Sequence, residues 1–519
     1  MSDKVNVVIE KSVSYNRICR SYGMQSCANG NKIAKIQETL VEYRRATKKI
    51  GNYQWHLFYR YGGFNKNEDI KTAVKTRLSE RYKQVCQYQV VGMLDSHLEN
   101  VMSDFRKVVY KSNIDEGTKT QLFYINKYHK WFSREEIKIP KYVNNKPVKG
   151  EYITIDKSVQ RLAIKILRNL IDTRRKPRYN NINMNLDAKV VTIADKVEDK
   201  AKSFEYWLKV ATLEKGKPIL IPIKTNGYYE DVEGKRCNSV QVNSDYDTGD
   251  ISFRFIKEIP KVEYKPIIDS IAVDAGLTTF LATDFGDLFG QQMLDYLKEK
   301  DALLQAMQKS NQKHNREVNS DRYKRTVQDI REYIKNEVCR IINRIIEIYK
   351  PKEIVTEELD FRFTNNLSKQ LRRIIRNFGM RVLKNKLASI EEIYGIKITK
   401  VNPAYTSKTC DLCGYVDSRN RNGKKFKCLM CGHEIDADVG GARSIRGRSS
   451  VENSYKYYSV AKVLQVTVEN YLSKLERKGK RLSSQATSTL MSNPYFKKYI
   501  DRIKVIGHRL DLKAIHVTG

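Results

Sequence analysis

The chain has 519 residues, too many for a single hydrophobic core, and its 96 lysines and arginines against 60 acids give a formal net charge of +36. Solubility requires far less charge than this, so the excess favours an extended polyanion, nucleic acid, as the partner. No apolar run reaches the roughly 18 to 20 residues that cross a bilayer, and nothing at the N-terminus is typical of a signal peptide. We therefore expect a cytoplasmic protein of two to four domains without a membrane span.

The N-terminal half is predicted to combine a helical lobe with a small β domain. Residues 4–10 alternate enough for one strand, and 31–134 have a largely helical pattern. Within the helical part, the segment 55–64 places aromatic rings beside a basic residue, which suits either base stacking or a hydrophobic core. Short β runs between 186 and 266 predict a small β domain, which we expect to pair with the N-terminal strand.

A further amphipathic helix is predicted over 157–171, where apolar residues recur at a helical period. This helix runs into a basic segment that suits a phosphate backbone. The candidate nucleic-acid contacts there are Arg174, Arg175 and Lys176.

The first acid of interest is Asp274, which ends an apolar strand beginning near residue 267. The chain then turns through Gly276 into a second strand and turns again at 284–287. RNase H-like nucleases begin with such an antiparallel meander, because the strand end holds a carboxylate rigidly at an open cleft. Taken alone this signal is weak, because a single acid at such a position is more often a solvated surface charge.

A second acid, Glu357, repeats this pattern at the end of the strand 352–357. The preceding helix, with isoleucines and a valine recurring every three or four residues, is predicted to end at Pro351. The following helix leads to Gly395, which can adopt a left-handed cap, and to a strand over 396–400. This helix carries three further nucleic-acid candidates: Arg372, Arg373 and Arg376.

Two CxxC pairs, Cys410 with Cys413 and Cys428 with Cys431, are separated by 14 residues. Four thiolates at this spacing are what a tetrahedral Zn²⁺ requires, so one structural zinc ribbon is predicted. Two disulfides would need a secreted protein, which the composition does not indicate. His433 follows the second pair, but four cysteines already complete the tetrahedron.

The third acid, Asp438, lies at the start of the helix predicted after the ribbon. Three carboxylates converging from two strand ends and one helix would repel one another, and two Mg²⁺ ions would relieve that repulsion and support phosphodiester cleavage. The neighbouring acids Glu358 and Asp436 are the alternatives to Glu357 and Asp438. Arg443 either approaches the scissile phosphate or lies on the helix surface.

Between about 267 and 446, these motifs resemble the split RuvC domain of TnpB, a transposon-encoded RNA-guided nuclease, and of the related miniature type V CRISPR effectors. Val273-Asp-Ala-Gly-Leu277 resembles the first motif and Ile354-Val-Thr-Glu-Glu-Leu359 the second. Asn402-Pro-Ala-Tyr-Thr-Ser-Lys-Thr-Cys410, together with Ala437-Asp438, resembles the zinc-ribbon and third motifs. The string Pro403-Ala-Tyr-Thr-Ser-Lys-Thr-Cys-Asp-Leu-Cys-Gly414 is highly specific.

The resemblance implies an α+β multidomain fold in the prokaryotic cytosol. Its expected parts are a wedge-like β-barrel domain (1–30 and 186–265), a helical recognition lobe (31–185), an RNase H-like (RuvC) domain with a C-terminal extension (266–402 and 433–519) and an inserted zinc ribbon (403–432). The implied activity is Mg²⁺-dependent, RNA-guided DNA cleavage in which Asp274, Glu357 and Asp438 bind two Mg²⁺. The expected partners are a guide RNA and double-stranded target DNA, with single-stranded DNA as a further substrate, and the protein would act as a monomer or as a homodimer on one guide.

Three departures from the family pattern stand out. Gly440 occupies a position where the family usually has asparagine, which removes a polar neighbour of the site but no ligand. The N-terminal lobe has only Cys19 and Cys27 where some miniature effectors carry another zinc finger. About 70 residues follow the last motif, and this tail either binds nucleic acid or is a basic solvated appendage.

Three other functions remain open at this stage. One is a guide-dependent DNA-binding repressor with weak or no cleavage, although all three acids are present. Another is an unguided RNase H-like nuclease or transposase, because fold and metals alone do not specify a guide. A bare zinc-ribbon binding module would leave Asp274 and Glu357 unexplained. RNA that copurifies with the protein would separate the guided functions from the unguided one.

Overall fold

The computed structural model describes residues 17–143, 146–194, 196, 203–244, 250–276, 278–318, 320–358, 368–449, 455, 458–478 and 482–507. The chain divides into two compact units, Met1–Lys261 and Val262–Gly519. The strand predicted over 4–10 lies outside the described residues. Within the described ranges, no helix combines the length and apolar character needed to cross a membrane.

In its described ranges, the first unit contains two long α-helices and three shorter ones, each beginning after a polar residue. Asn29 caps the first helix by accepting the backbone N–H of Lys32, and that helix ends at Gly62, whose φ of 81° is accessible to glycine. The helices are α1 (Gly30–Tyr61), α2 (Glu80–Lys111), α3 (Glu116–Lys127), α4 (Lys157–Arg174) and α5 (Gly227–Asp231).

The strands of the first unit are β1 (Arg17–Ser26), β2 (Lys138–Val143), β3 (Lys146–Thr154), β4 (Met184–Leu186), β5 (Val191–Ile193), β6 (Tyr206–Val210), β7 (Ile219–Lys224), β8 (Lys235–Ser244) and β9 (Ile251–Pro260). Seven of them form an antiparallel sheet in the order β4-β8-β9-β1-β7-β6-β5. Because β5 also contacts β8, the sheet curls into a near-barrel. The hairpin β2-β3 is separate, and the sequence analysis did not predict it.

The second unit contains eight helices within the described ranges. They are α6 (Met293–Lys313), α7 (Asp321–Tyr349), α8 (Lys369–Ile374), α9 (Met380–Tyr394), α10 (Ala437–Ser449), α11 (Val460–Lys478), α12 (Ser484–Met491) and α13 (Ile500–Gly507). The apolar face predicted for 330–348 lies on α7, where Ile334, Val338 and Ile341 are fully buried. Gly395 ends α9 with a φ of 70°, as predicted.

A five-stranded sheet organises the second unit. Its strands are β10 (Ile268–Ala275), β11 (Leu281–Thr283), β12 (Leu288–Phe289), β13 (Pro351–Glu357) and β14 (Lys397–Val401), in the order β12-β11-β10-β13-β14. The pairs on the β12 side of β10 are antiparallel, whereas β10, β13 and β14 run parallel. A small antiparallel sheet follows, with β15 (Arg421–Asn422), β16 (Lys425–Lys427) and β17 (Glu434–Asp436).

The described part of the C-terminal tail packs against this small sheet and its cysteine loops. Phe496 is fully buried, and its ring centroid lies 5.5 Å from that of Tyr415 and 5.8 Å from that of Tyr471. The Asn493 side-chain amide donates to Tyr415 Oη at 2.8 Å and to the Val416 carbonyl at 2.9 Å. The described tail is therefore a structural support of the ribbon and not a solvated appendage.

We predict that Phe496→Ala destabilises the second unit by about 3–5 kcal/mol, because it leaves a cavity between the tail and the ribbon. Chemical denaturation of the full chain measures this loss. Val505→Ala is the matched control in the same tail, since Val505 is 63% exposed. Equal denaturation midpoints for the two variants would contradict the packing role of the tail.

Candidate functional site

Asp274 and Glu357 lie side by side at the ends of neighbouring parallel strands. The β10–β13 register pairs Val273 with Thr356, so the next residue on each strand is one of the two acids. Adjacent strands are about 4.8 Å apart. Parallel pairing therefore brings together two carboxylates that are 83 positions apart in the sequence.

The third acid, Asp438, comes from the first turn of α10, which follows β17 directly and packs against β10. Asp436 fixes this helix start, because its Oδ1 accepts the backbone N–H groups of Asp438 at 2.9 Å and Val439 at 3.2 Å. The backbone of α10 comes very close to Asp274: a Cβ added at Gly441 would lie 2.4 Å from Asp274 Oδ2. Only glycine fits there without displacing the carboxylate.

The carboxylates influence one another electrostatically. Burial, followed by the charges of Glu357 and Asp438, raises the pKa of Asp274 to about 8. Burial also raises the pKa of Glu357, against the opposing effects of a hydrogen bond from Thr406 and the charge of Arg448. Buried carboxylates that are crowded in this way fit a hard divalent cation, which prefers oxygen ligands.

Arg421 brings a positive charge into this group of acids. Its Nη2 donates to Asp438 Oδ1 at 2.8 Å. Its positive charge offsets part of the rise in the pKa of Asp274 and of Glu357. Arg421 belongs to β15 of the small sheet, so the ribbon supplies a side chain to the site. The sequence analysis missed this residue, although the basic hairpin around it offered a weak signal.

Asp284 was also missed, and it ties α10 to the central strand. Its carboxylate accepts the backbone N–H of Ala272 at 2.9 Å and Nη1 of Arg446 at 2.5 Å. Arg443 Nε donates to the Asp284 carbonyl at 3.1 Å, and Arg443 Nη1 lies 3.7 Å from Asp411. Arg443 is thus anchored at the helix surface with 43% of its side chain exposed.

The two acids considered as alternatives, Glu358 and Asp436, have positions that differ from those of Glu357 and Asp438. Glu358 is exposed beyond the end of β13, and its backbone N–H donates to the Val401 carbonyl. Asp436 is occupied in capping α10. A Cβ at Gly440 would lie 3.1 Å from Ile435 Cγ2, so the departure at Gly440 faces an apolar contact.

The four cysteines of the ribbon form a cluster that could bind zinc. Their Sγ atoms all lie within 4.8 Å of one another, with 3.7 Å between Cys410 and Cys431 and 3.6 Å between Cys413 and Cys428. Zn–S bonds of about 2.3 Å in a tetrahedron place sulfur atoms roughly 3.8 Å apart, so the donor set fits. His433 is outside the cluster, and its Nε2 lies 3.2 Å from Asp411 Oδ1.

The basic nucleic-acid candidates have different environments. Arg174 Nε forms an ion pair with Asp104 at 2.5 Å, and Lys176 Nζ lies 4.7 Å from the ring centroid of Trp55. In the second unit, Arg373 is exposed and Arg372 Nε is buried without a partner in the described part of the chain. Arg175, which follows α4, has a positive φ of 60°. The side chain of Arg376 lies outside the described residues.

Comparison with known proteins supports a relationship in the C-terminal half. Residues 381–445 match the family model Cas12f1-like, TNB domain. The CRISPR-associated endodeoxyribonuclease Cas12f1 of Sulfoacidibacillus thermotolerans is 43% identical over 74 residues, which are 14% of this chain and 18% of that protein. The putative RNA-guided DNA endonuclease InsQ of Escherichia coli (strain K12) is 26% identical over 200 residues, which are 35% of this chain and 49% of that protein.

The aligned segments thus span between about a fifth and a half of these relatives. Among solved structures, a Cas12f1–sgRNA–target DNA complex has a TM-score of 0.37 at 14% identity, covering 83% of this chain and 98% of that chain. The mini-RNA-guided endonuclease CRISPR-Cas_phi3 has a TM-score of 0.44 at 11% identity, covering 85% and 94%. The sequence comparisons confirm the predicted resemblance to TnpB-like proteins and miniature type V effectors.

We predict that Cys413→Ser lowers the bound zinc from one ion per chain to less than about 0.2, because three thiolates cannot complete the tetrahedron. Elemental analysis of the purified chain measures this content. Cys339→Ser is the control, since Cys339 lies outside the cluster. Equal zinc in the two variants would contradict the assignment.

We predict that the metal-free protein loses stability as the pH rises from about 4 to 8. The raised pKa of Asp274 means that the folded state holds a proton that the unfolded state releases near pH 4, so the stabilisation is lost as pH approaches the folded pKa of about 8. Asp274→Asn should remove this loss and raise the thermal midpoint at pH 8 by roughly 5 °C. Mg²⁺ should raise the midpoint of the wild type and leave that of Asp274→Asn unchanged.

Asp269→Asn is the control for this experiment, because Asp269 is exposed on the same strand, β10. It should behave like the wild type in both the pH series and the Mg²⁺ titration. If Asp274→Asn and the wild type show the same pH dependence and the same response to Mg²⁺, Asp274 is not in a metal site.

Proposed function

We propose that this chain, which is similar to TnpB-like proteins and to Cas12f1 in its C-terminal half, is an endonuclease that cleaves DNA selected by a guide RNA. The observation that carries the proposal is the meeting of Asp274, Glu357 and Asp438 beside a four-cysteine ribbon. Relatives that align with part of this chain are named as a CRISPR-associated endodeoxyribonuclease and as a putative RNA-guided DNA endonuclease.

The fold supports different roles for the two units, with the nuclease site in the second and nucleic-acid recognition in the first. We assign 266–402 and 433–519 to an RNase H-like RuvC domain, because its sheet joins an antiparallel meander to parallel strands. The inserted ribbon is 403–432. In the first unit, the helices within 31–185 would form the recognition lobe. The segments 1–30 and 186–265 would form the wedge, since β1 pairs with β7 and β9 in one sheet.

The three carboxylates would hold two Mg²⁺ ions, which supply water activation and stabilisation of the leaving 3′ oxygen when bound. The surrounding side chains prepare this site. The Thr406 hydroxyl orients Glu357, and Asp436 holds the first turn of α10 so that Asp438 faces the strand ends. Gly441 allows the helix backbone to approach Asp274. The donor atoms are therefore positioned before any substrate enters, which favours catalysis.

Arg421 has a different role in this proposal. Its guanidinium balances the carboxylates through Asp438 in the metal-free protein. Once metal ions neutralise the acids, the same N–H donors would be available to a non-bridging oxygen of the scissile phosphate, to which arginine binds strongly. The ribbon would then contribute directly to phosphodiester cleavage.

Guide RNA and target DNA account for the charge of the chain. A net charge of +36 suits backbone contacts to several nucleic-acid strands. In RNA-guided enzymes, base pairing selects the sequence, while the protein recognises the shape of the heteroduplex and a short flanking motif. We propose the same arrangement here, with zinc as a structural ion of the ribbon and a location in the prokaryotic cytosol.

The test is to purify the chain from its native locus context, sequence the bound RNA, and measure Mg²⁺-dependent cleavage of matching DNA. We predict that Asp274→Ala and Asp438→Ala each lower the cleavage rate at least about 10³-fold and leave DNA binding intact, because the acids hold metal and not the nucleic-acid backbone. Asp269→Asn, on the same strand as Asp274, should cleave at the wild-type rate.

The alternatives have distinct outcomes. Bound RNA and guided DNA binding without cleavage would indicate a repressor, and cleavage without RNA would indicate an unguided nuclease. Wild-type cleavage by Asp274→Ala would show that the catalytic site has been assigned to the wrong residues.

A further inference from the structure

A pocket of about 640 Å³ lies in the first unit, far in sequence from the carboxylate site. It is formed by the C-terminal end of α1, the turn 130–134 and α4. This volume is in the range of pockets that hold small ligands. The pocket therefore has room for a nucleotide.

The floor of the pocket is aromatic and held in place by packing. The rings of Tyr59 and Phe132 line it, with centroids 5.9 Å apart at an interplanar angle of 82°. Beneath them, buried Phe58 lies 5.5 Å from Tyr59 and 5.7 Å from Phe132. Because this packing fixes the two nearly perpendicular rings, a flat base can stack on the face of one ring while the other ring contacts its edge.

The turn that carries Phe132 is fastened to α4 by one side chain. Gln160 Nε2 lies within hydrogen-bonding distance of three backbone carbonyls, at 3.2 Å from Lys130, 3.1 Å from Trp131 and 2.9 Å from Ser133. These contacts hold the turn and the helix together on either side of the cavity. The pocket is thus a built feature of the fold and not a gap between loose loops.

One polar group of the lining has no protein partner. Trp131 lines the pocket and is fully buried, and its indole N–H has no hydrogen-bond acceptor in the described ranges. Its ring stacks on His129 with centroids 5.1 Å apart, so Trp131 belongs to the packing beneath the pocket and not to its exposed surface.

The rim of the pocket is basic. His56, Arg60 and Arg134 are exposed around it, and among the described residues no aspartate or glutamate lines it. Lys176 adds positive charge nearby, 5.3 Å from the ring centroid of Tyr59. Guanidinium groups beside an aromatic floor match the phosphate and base of a single nucleotide.

We propose that this pocket binds one unpaired nucleotide of a single-stranded nucleic acid, with the base stacked on Tyr59 and in edge contact with Phe132, and with the phosphate at Arg60 and Arg134. The site goes beyond the proposed nuclease activity, because it belongs to the first unit and shares no residue with the carboxylate site. RNA and DNA have this chemistry in common, so the same pocket can take a nucleotide from either.

The experiment measures intrinsic tryptophan fluorescence of the full chain after nucleic acid has been removed in high salt. Two of the three tryptophans, Trp55 and Trp131, lie in the aromatic cluster around Phe58, and Trp207→Phe removes the third. The probes are six-residue oligouridylate and oligothymidylate, with a short DNA duplex for comparison. Titration in about 0.3 M salt limits non-specific binding.

We expect the single strands to quench the fluorescence and the duplex to have a much smaller effect. Tyr59→Leu should weaken the single-strand affinity about tenfold, as expected for the loss of one stacking contact. Arg134→Gln should also weaken it, and this exposed substitution leaves the core intact. Arg81→Gln removes one exposed charge from α2 and should change the affinity less than twofold.

Equal affinities for Arg134→Gln and Arg81→Gln, or equal quenching by duplex and single strands, would overturn the proposal. A preference for uridylate or thymidylate would identify RNA or DNA as the source of the nucleotide. Asp274→Ala should quench like the wild type, so a failure of the nuclease assignment would leave this result unchanged.

Discussion

Mutual repulsion between three carboxylates is the constraint on which the second unit depends. Parallel strands bring Asp274 beside Glu357, and α10 adds Asp438. Burial, followed by the charges of these two neighbours, raises the pKa of Asp274 to about 8, so the ionisation of Asp274 carries an energetic cost. A metal-free protein can reduce it only in part, through Arg421 and the hydrogen bond from Thr406. Divalent cations would resolve it fully.

The ribbon contributes directly to the carboxylate site and is more than an attached module. It supplies Arg421, and β17, which pairs with the ribbon strand β16, continues directly into the helix that carries Asp438. The four cysteines hold the loops of the ribbon, and the tail covers its apolar side through Phe496. Loss of zinc or of the tail would therefore displace charged groups at the carboxylates as well as destabilise the ribbon.

The sequence predicted those features that depend on local pattern or on spacing. Apolar runs ending at Asp274 and Glu357 indicated strand ends, and the spacing of the cysteines indicated a ribbon. Partnerships set by tertiary packing were not predictable: Arg421 meets Asp438 only because the ribbon folds back over the helix start. The same applies to Asp284, whose partners come from α10 and β10.

The glycines of α10 and the aromatic segment 55–64 also show that tertiary packing cannot be read from local sequence pattern. The sequence drew attention to Gly440 as a departure, whereas the close approach to Asp274 occurs at Gly441. Within 55–64, Phe58 is core, as one interpretation predicted, whereas Tyr59 lines a pocket, where base stacking is a proposal. Helical spacing alone cannot tell which ring lies at the edge of a cluster. The hairpin β2-β3 was missed for a related reason, because its strands pair outside the main sheet.

The most direct test of the central claim is anomalous diffraction from crystals of the full chain soaked in Mn²⁺, which substitutes for Mg²⁺. We predict two anomalous peaks among Asp274, Glu357 and Asp438, about 3.5 to 4 Å apart, with Arg421 moved away from Asp438. Peaks elsewhere, or an intact Arg421–Asp438 pair with no metal between the acids, would contradict it.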